Sequence, residues 1–297
     1  MNKLLGKYGY TPDEEKIGRN LKLIASQLES VKSPEVLKTC FSIMDLTTLR
    51  AQDTKASVQK LVDKVNALKS QFPGYPLPAS ICVYPNFAPL VAGARKSKDL
   101  HVTTVAGCFP SSQSFLEVKV KECEMAVAGG ADEIDIVLAL NAFLAGDYDE
   151  ARTEIETMKA AIDAAAAAQG RRVVLKVILE TGLLVTPENI AEASFLAMEA
   201  GADFIKTSTG KVEVNPTPVP AYVMCEAIAK FEARTGRKVG FKAAGGISTA
   251  SDALVYYSIA RSVLGPEWLN PGLLRFGVSR LGNSLMSAIE GGNIVYF

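Results

Sequence analysis

The chain contains one histidine among its 297 residues. Zinc-dependent aldolases, hydrolases and deaminases usually hold their metal with two or three imidazole groups. A single histidine therefore excludes a histidine-rich metal site. The five cysteines are scattered, without the C-x-x-C spacing of a zinc or redox site, and are expected to be free thiols. We predict neither a metal nor another cofactor.

An excess of charge of either sign is missing as well. Thirty-two basic residues balance 32 acidic ones, and no basic run alternates with aromatic residues, so nucleic acid is a poor candidate partner. The N-terminus lacks the apolar stretch of a signal peptide, and no later segment stays apolar for the roughly 18 residues that a membrane span needs. The composition predicts a cytoplasmic protein that binds neither nucleic acid nor membrane.

The sequence does contain a regular alternation of short apolar or β-branched runs with longer helical patterns. The runs predicted to be strands are 40–46, 79–85, 101–107, 133–138, 173–180, 204–208, 239–244 and 273–278. No long linker, composition break or low-complexity tract interrupts the alternation. Eight strand and helix units of this kind favour an α/β fold of the (β/α)8 TIM barrel type over a doubly wound sheet.

Helix signals support this pattern. Thr186 is placed as an N-cap before Pro187, and the stretch 149–169 predicts a further helix. Before the first strand, four apolar residues recur at helical spacing: Ile17, Leu21, Ile24 and Leu28. We predict an N-terminal helical extension over residues 1–35, packed outside the barrel, and a barrel domain over residues 36–297.

A weak internal repeat sets the register of the strands. Residues 130–135 and 201–206 share a glycine, an Ala-Asp step and an ionisable residue after isoleucine, so Asp135 and Lys206 occupy equivalent positions. Two further strands carry a lysine directly after a large apolar residue. Because strand side chains alternate between faces, the ionisable residues point inward if their apolar neighbours point outward. The side chains predicted to converge inside the barrel are those of Asp135, Lys176, Lys206 and Lys242.

Charged side chains inside a barrel have two interpretations. TIM-barrel interiors are normally aliphatic, and buried ion pairs stabilise a fold poorly, so a functional role is favoured over an internal salt-bridge cluster. Crowded ammonium groups lower one another's pKa, and a neutral amine attacks carbonyl carbon. The resulting imine is an electron sink for the cleavage of a carbon–carbon bond. The residues alone leave open which lysine is the nucleophile.

This chemistry also needs groups that move protons. Asp135 is the acidic residue of the converging layer and is therefore the candidate for proton transfer. In the pair Lys206 and Lys242, the ammonium group of one lysine lies beside the amine of the other and favours its neutral form. Asp45 and Thr47, at the end of the first strand, are candidates for polar support.

Two further residues have a weaker case. Cys82 lies late in the second strand and is a candidate to contact aldehydes at the barrel mouth, although a buried, inert cysteine is more common. His101 begins the third strand, at the barrel end opposite to the active-site loops, so catalysis by His101 is disfavoured.

Small residues follow three neighbouring strands. Barrels commonly bind phosphate through the loops after strands seven and eight, where glycines expose backbone N–H groups and helix starts attract anions. The sequence therefore predicts a phosphate site, although a single Gly-Gly pair is more simply a turn. Its candidate residues are Thr209, Gly210, Lys211, Gly245, Gly246, Gly277 and Ser279.

The chain resembles the deoxyribose-phosphate aldolase family from about Cys40 to about Ser284. The segments that carry the resemblance are 45–49, 133–135, 175–181, 204–211 and 242–246. It implies a metal-free class I aldolase that reversibly cleaves 2-deoxy-D-ribose 5-phosphate into D-glyceraldehyde 3-phosphate and acetaldehyde. By this resemblance Lys206 forms the Schiff base, Lys242 lowers its pKa and Asp135 shuttles protons. The additional substrate-site candidates are Asp45, Thr47, Cys82 and Lys176.

Some positions depart from the family pattern. Ala243 stands where the family often has proline, Ser248 where it often has arginine, and the last loop ends in Arg280. These changes leave the imine chemistry intact and concern the phosphate end. Either Arg280 supplies charge there, or the preference for phosphate is weakened. Tyr296 is placed either to reach the active site, as a tail tyrosine can in this family, or to pack on the barrel.

Two alternative functions stay open. One is another Schiff-base aldolase or a transaldolase-like enzyme with a different donor and acceptor, and the other is a catalytically silent sugar-phosphate-binding barrel. The presence of Asp135, Lys206 and Lys242 argues against the silent form. The predicted partners are a small sugar phosphate and an aldehyde, and the resemblance adds a homodimer as a candidate assembly.

Overall fold

A computed structural model describes residues 3–212 and 217–297 of the chain. Its strands are parallel and close into a barrel in chain order, because the eighth strand pairs with the first. The strands are β1 Met44–Thr47, β2 Ser80–Val83, β3 His101–Val105, β4 Glu133–Val137, β5 Val174–Ile178, β6 Phe204–Lys206, β7 Gly240–Ala244 and β8 Leu274–Val278. This closed barrel confirms the predicted (β/α)8 fold.

Helices connect the strands and surround them. They are α1 Lys3–Tyr8, α2 Glu14–Val31, α3 Pro34–Ser42, α4 Lys55–Gln71, α5 Ala88–Ala94, α6 Leu116–Ala128, α7 Leu140–Leu144, α8 Tyr148–Ala167, α9 Thr181–Leu184, α10 Pro187–Glu199, α11 Pro218–Thr235, α12 Ala250–Leu264 and α13 Leu281–Glu290. Among the described helices, none combines the length and the apolar character that crossing a bilayer requires.

Local sequence explains where these helices begin. The side chain of Thr186 accepts a hydrogen bond from the backbone N–H of Asn189, and Pro187 occupies the first turn of α10, as predicted. The helix predicted over 149–169 is α8, and its N-cap is Asp147.

The first strand differs most from its predicted boundaries. Residues 40–42 belong to α3, which starts after its N-cap Ser33, so the strand begins only at Met44. The apolar run that suggests a strand in the sequence forms the buried face at the end of this helix. At the sixth strand the prediction extends too far, because β6 ends at Lys206 and residues 207–208 lie in the following loop.

The N-terminal segment packs on the outside of the barrel. Helix α2 contacts α11 and α12 and buries Ile17 and Ile24, with Leu21 and Leu28 partly buried beside them. The predicted division at residue 35 falls within α3, which packs on α12 and α13. The first two residues of the predicted extension lie outside the described residues. The division into an extension and a barrel domain stays a prediction.

The hydrophobic core lies between the strands and the surrounding helices. Leu175, Ile205 and Phe241 are fully buried in it. Each immediately precedes a lysine, and the alternation of strand side chains turns that lysine to the other face. The lysines of β5, β6 and β7 therefore point into the barrel interior.

Candidate active site

The carboxylate of Asp135 is surrounded by three lysines inside the barrel. Its oxygens lie 3.0 Å from Lys176 Nζ, 2.9 Å from Lys206 Nζ and 2.8 Å from Lys242 Nζ. Strand register explains this arrangement, because Asp135 is paired with Lys176 across β4 and β5, and Lys206 with Lys242 across β6 and β7. The side chains that were predicted to converge do so.

A second level of ions lies toward the N-terminal ends of the strands. Arg275 Nη1 is 2.5 Å from Asp45 Oδ1, and its Nη2 is 2.5 Å from Glu133 Oε1. The two levels are joined, because Glu133 Oε2 lies 2.6 Å from Lys176 Nζ and Asp45 also accepts a hydrogen bond from Lys242. These five side chains are at most 3% exposed. We call the two levels together the interior network.

Glu133 and Arg275 are not among the site residues predicted from sequence, yet the sequence contains a signal for each. Glu133 is two residues before Asp135, so strand alternation places both on one face. Arg275 follows Leu274, which repeats the pattern of an apolar residue and then a charge. Strand alternation from Asp135 would identify Glu133, and the pattern of an apolar residue before a charge would identify Arg275.

The charges of the interior network do not balance when every lysine is protonated. Its carboxylates are those of Asp45, Glu133 and Asp135, and its cations are Lys176, Lys206, Lys242 and Arg275. Three negative charges thus face four positive ones. An unmatched buried charge is costly, so loss of a proton from one lysine relieves the excess.

Lys206 is the lysine that loses its proton most easily. Burial lowers the pKa of Lys206, and the Lys242 ammonium lowers it further, while Asp135 opposes both. Burial also disfavours the charged forms of Lys176 and Lys242, but nearby carboxylates outweigh it and the pKa of each is raised. Burial together with crowding therefore lowers the pKa of Lys206 alone, whereas the sequence suggests that crowding lowers the pKa of all three lysines.

The same contacts keep the carboxylates ionised. Burial acts to raise the pKa of Asp135, but the three ammonium groups outweigh burial and hold that pKa far below its usual range. The pKa values of Asp45 and Glu133 are also lowered, because the cations beside them outweigh burial. Within residues 3–212 and 217–297, His, Cys, Asp and Glu side chains form no group suited to holding a metal ion.

A cavity of about 590 Å³ opens at the C-terminal end of the barrel and reaches Lys206. The predicted site residues that line it are Thr47, Lys206, Thr209, Gly210, Lys211, Gly245, Gly246, Gly277 and Ser279. The other predicted site residues are fully buried and do not line it, namely Asp45, Cys82, Asp135, Lys176 and Lys242. Lys206 is the member of the interior network that reaches the cavity.

The loop after Lys206 is fixed to its neighbours. Thr207 Oγ1 donates to the carbonyl oxygen of Ala244 at 2.9 Å, and Thr209 donates both its backbone N–H and its hydroxyl to Glu180. Glu180 is buried with a φ of 54°, and burial raises its pKa. Although Glu180 lies in a segment that carries the family resemblance, it is absent from the predicted site. It holds the cavity wall beside Lys206.

Glycines shape the adjacent wall. Gly245 and Gly246 have φ values of 90° and 72°, which other residues rarely adopt. At Gly277 the requirement is space, because a Cβ there would lie 2.9 Å from Ala244 Cβ and 3.1 Å from Lys242 Cε. Gly277 therefore makes room for the interior network and also lines the cavity.

The cavity carries more positive than negative charge. Apart from Lys206, its lining includes three cations, Arg50, Lys211 and Arg280, against one carboxylate, Asp53. Helix α13 starts beside the cavity without a side-chain cap, and the free N–H groups at a helix start favour an anion. This wall suits a phosphate group, and Arg50 is a cation that the sequence prediction does not include.

The positions that depart from the family pattern differ in exposure. Ala243 is fully buried in β7. Ser248 lines the cavity but donates its backbone N–H to Asp252 at 3.0 Å, in the capping of α12. Arg280 is exposed and lines the cavity, so its charge is available at the phosphate end.

Three other candidate residues, Cys82, Tyr296 and His101, do not line the cavity. Burial raises the pKa of Cys82, which disfavours a reactive thiolate. The hydroxyl of Tyr296 donates to the backbone oxygen of Lys64 at 2.6 Å, while Phe297 lines the cavity in its place. His101 begins β3, at the opposite end of the barrel.

Relatives named deoxyribose-phosphate aldolase are similar to most of this chain. It is 40% identical to the deoxyribose-phosphate aldolase of Homo sapiens over 260 residues, which cover 84% of this chain and 78% of that protein. It is 41% identical to the deoxyribose-phosphate aldolase of Bos taurus over 249 residues, covering 80% and 76%.

Solved structures show the same barrel. The aldolase QR15 superposes with a TM-score of 0.64 at 27% identity, covering 85% of this chain and 95% of that one. The tetrameric deoxyribose phosphate aldolase of Aeropyrum pernix superposes with a TM-score of 0.65 at 24% identity, covering 89% and 96%. A family model described as DeoC/LacD family aldolase matches residues 39–273. The chain therefore belongs to the deoxyribose-phosphate aldolase family within the DeoC/LacD aldolases, and it is a lyase.

Proposed function

We propose that the chain reversibly cleaves 2-deoxy-D-ribose 5-phosphate into D-glyceraldehyde 3-phosphate and acetaldehyde through an imine at Lys206. The observation that carries the proposal is that Lys206, within the interior network, both reaches the cavity and has a lowered pKa. Attack on an aldehyde requires a free amine near neutral pH, and these two properties supply it.

The proposed reaction starts when the Lys206 amine adds to the C1 aldehyde carbon and water leaves, which forms a protonated imine. A base takes the proton of the C3 hydroxyl as the C2–C3 bond breaks, and the bonding electrons move into the imine. This step releases D-glyceraldehyde 3-phosphate and leaves an enamine. Protonation of the enamine at C2 and addition of water release acetaldehyde and restore the amine.

We assign the proton transfers to Asp135 and the lowering of the Lys206 pKa partly to Lys242. Asp135 lies 2.9 Å from Lys206 Nζ but does not line the cavity, so these transfers need a bridging water. Because the ammonium groups around it outweigh burial and hold its pKa low, Asp135 is present as the carboxylate, which is the form that accepts a proton. Its charge also stabilises the protonated imine nitrogen.

We propose that the substrate phosphate binds to the loops after β6, β7 and β8. Arg50, Lys211 and Arg280 supply positive charge there, and the glycine backbone and the start of α13 supply N–H groups.

The remaining substrate-site candidates differ in how they act. Thr47 lines the cavity and is placed for direct contact. Asp45, Cys82 and Lys176 are buried, so we assign them support of Lys206 from inside the barrel instead of contact with substrate.

Reductive trapping tests the nucleophile and the substrate class together. With borohydride and 2-deoxy-D-ribose 5-phosphate, peptide mapping should find substrate-derived mass on Lys206, and Lys206→Leu should abolish the label. Lys211→Met is the matched control, because Lys211 lines the cavity outside the interior network and should still permit trapping with acetaldehyde. Label on another lysine, with turnover surviving in Lys206→Leu, contradicts the proposal.

A different Schiff-base aldolase or a transaldolase-like enzyme would use the same amine with another donor. A panel of acetaldehyde, dihydroxyacetone and pyruvate separates these reactions, and we expect acetaldehyde to be preferred. A silent sugar-phosphate-binding barrel would show no retro-aldol turnover.

We further infer a cytoplasmic homodimer that acts on a free sugar phosphate and an aldehyde. Light scattering of the purified chain tests the assembly, and a monomer would refute the dimer.

A further inference from the structure

His101 lies at the N-terminal end of the barrel, yet it contacts the interior network. Its Nδ1 is 2.7 Å from Glu133 Oε1, and its side chain is 43% exposed. TIM-barrel chemistry takes place at the other end, so the proposed mechanism gives His101 no part. It is also the only histidine in the chain.

An unbroken series of short contacts leads from His101 to Lys206. After the contact with His101, Glu133 Oε2 lies 2.6 Å from Lys176 Nζ. Lys176 Nζ is 3.0 Å from Asp135 Oδ1, and Asp135 Oδ2 is 2.9 Å from Lys206 Nζ. Beyond His101 these side chains are at most 4% exposed, so little solvent screens one charge from the next.

The partner of His101 determines where its protons lie. Burial acts to raise the pKa of Glu133, but Lys176 and Arg275 outweigh burial and hold that pKa well below its usual range. An ionised carboxylate only accepts hydrogen bonds, so the neutral imidazole must carry its hydrogen on Nδ1. A second proton then enters at Nε2 and adds one positive charge at the exposed end of the series.

Few other charges face His101. Helix α5, which packs on β3, carries no charged residue, and the residue opposite His101 on β2 is Ser80. Among the described residues, the charged groups around His101 are Glu133 on β4, Arg275 on β8, which binds the same carboxylate, and the Arg95–Asp132 ion pair, which holds the backbone at Leu100 and Val102. The segment before β3 adds the exposed side chains of Lys96, Lys98 and Asp99. Of the acids, Glu133 is the one in contact with the imidazole.

We propose that His101 is a positioning residue for the proton on Lys206, because a protonated imidazole adds positive charge to the interior network and weakens the hold of Lys206 on its proton. When the imidazole is protonated, a larger share of Lys206 is free amine. The catalytic consequence rests on the proposed function, whereas the coupling of the two groups does not.

The coupling can be measured at His101 itself, because linkage between two protonation sites is reciprocal. The sole histidine provides an unambiguous imidazole signal in proton NMR. Lys206→Met removes the charge at the far end, and we expect the proton affinity of His101 to rise about threefold. In Lys211→Met, which removes a cavity lysine outside the interior network, the titration midpoint of His101 should not change. A midpoint unmoved by Lys206→Met, or moved equally by both changes, overturns the proposal.

A reverse measurement covers the case in which Lys206→Met does not fold. His101→Gln is neutral at every pH, and His101→Lys is charged throughout the range. The titration of Lys206, followed by NMR of isotope-labelled lysines, should show a proton affinity about threefold lower in His101→Lys than in His101→Gln. Equal affinities contradict the coupling.

A surface charge provides the control for this second measurement. Lys98→Gln removes an exposed charge three residues from His101 and should leave the Lys206 titration unchanged. None of these measurements needs turnover. A failure of imine trapping would therefore refute the proposed function without bearing on the coupling.

Discussion

The interior of the barrel and the cavity above it both hold an excess of positive charge, but the cations of the two regions differ in how closely carboxylates surround them. Inside, every carboxylate contacts at least two cations and all the side chains are buried. At the cavity, Arg50, Lys211 and Arg280 share a wall with one carboxylate, and that carboxylate accepts a hydrogen bond from Thr48. The ion pairs of the interior therefore determine the protonation states of its lysines and carboxylates. The cations of the cavity wall have few carboxylate partners and can attract an anion.

Under the proposed function, this difference separates the reaction from the choice of substrate. Two departures from the family pattern, Ser248 and Arg280, line the cavity, while Asp135, Lys206 and Lys242 belong to the interior. Substitutions in the interior should change rate, pH dependence and stability. Substitutions in the wall should change affinity for the phosphate group.

The largest effect should come from Lys206→Leu, which removes the amine that joins the two regions. We expect retro-aldol turnover of 2-deoxy-D-ribose 5-phosphate to fall by about 10⁴-fold or more. A coupled assay for D-glyceraldehyde 3-phosphate measures it, with a thermal melt to show that the variant is folded. Near-normal turnover in a folded variant would rule out Lys206 as the nucleophile.

Lys242→Met tests the interior without touching the cavity lining. Loss of this ammonium removes a charge that lowers the pKa of Lys206, so that pKa should rise and less free amine should remain at neutral pH. We expect turnover at pH 7 to fall by about 100-fold and the optimum to move to higher pH. An unshifted pH profile would show that Lys242 does not control the proton on Lys206.

Arg275→Met tests the stability of the interior network. It removes the guanidinium that contacts both Asp45 and Glu133, so we expect the free energy of unfolding at neutral pH to fall by about 3–5 kcal/mol. Urea denaturation measures the change. In the matched wall variant Arg280→Gln, the same quantity should change by less than about 0.5 kcal/mol. Equal effects would remove the distinction between the two regions.

The pH dependence of stability reports on the same carboxylates. The pKa values of Asp45, Glu133 and Asp135 are lowered in the folded chain, so their contribution is present above the usual carboxyl pKa and is lost as the pH falls. We expect the free energy of unfolding to fall progressively below about pH 4.5. Glu133→Gln should show a shallower loss, and an unchanged slope would contradict this assignment.

The smallest effect should appear in Arg280→Gln at the cavity wall. We expect the KM for 2-deoxy-D-ribose 5-phosphate to rise by about tenfold with kcat little changed, because a charged contact to phosphate is lost. Turnover of unphosphorylated deoxyribose serves as the control and should not change. An equal loss with both sugars would place Arg280 outside the phosphate site.

Periodicity in the sequence was sufficient to predict the barrel, because eight apolar runs separated by helical patterns have few other ways to bury their surfaces. Periodicity was not sufficient to predict where the first strand begins. Residues 40–42 are apolar enough for either a strand or the buried face of a helix, and the cap at Ser33 together with packing on α12 and α13 makes them helical. A short apolar run does not distinguish the two structures.

The candidate site divides in the same way. Strand alternation was enough to turn Asp135, Lys176, Lys206 and Lys242 inward, because the side-chain period of a strand is two. It says nothing of which lysine reaches the cavity or loses its proton. That depends on how far β6 extends and on the carboxylates that approach each amine from other strands.

The three inward lysines are therefore a property of the sequence, and their different protonation is a property of the tertiary structure. Lys176 and Lys242 each contact two carboxylates within 3.0 Å, whereas Lys206 contacts only Asp135 among the described acids. Residues as distant in the chain as Asp45 and Arg275 determine this balance. A pKa reflects burial and neighbouring charge, and only the closed barrel brings those charges together.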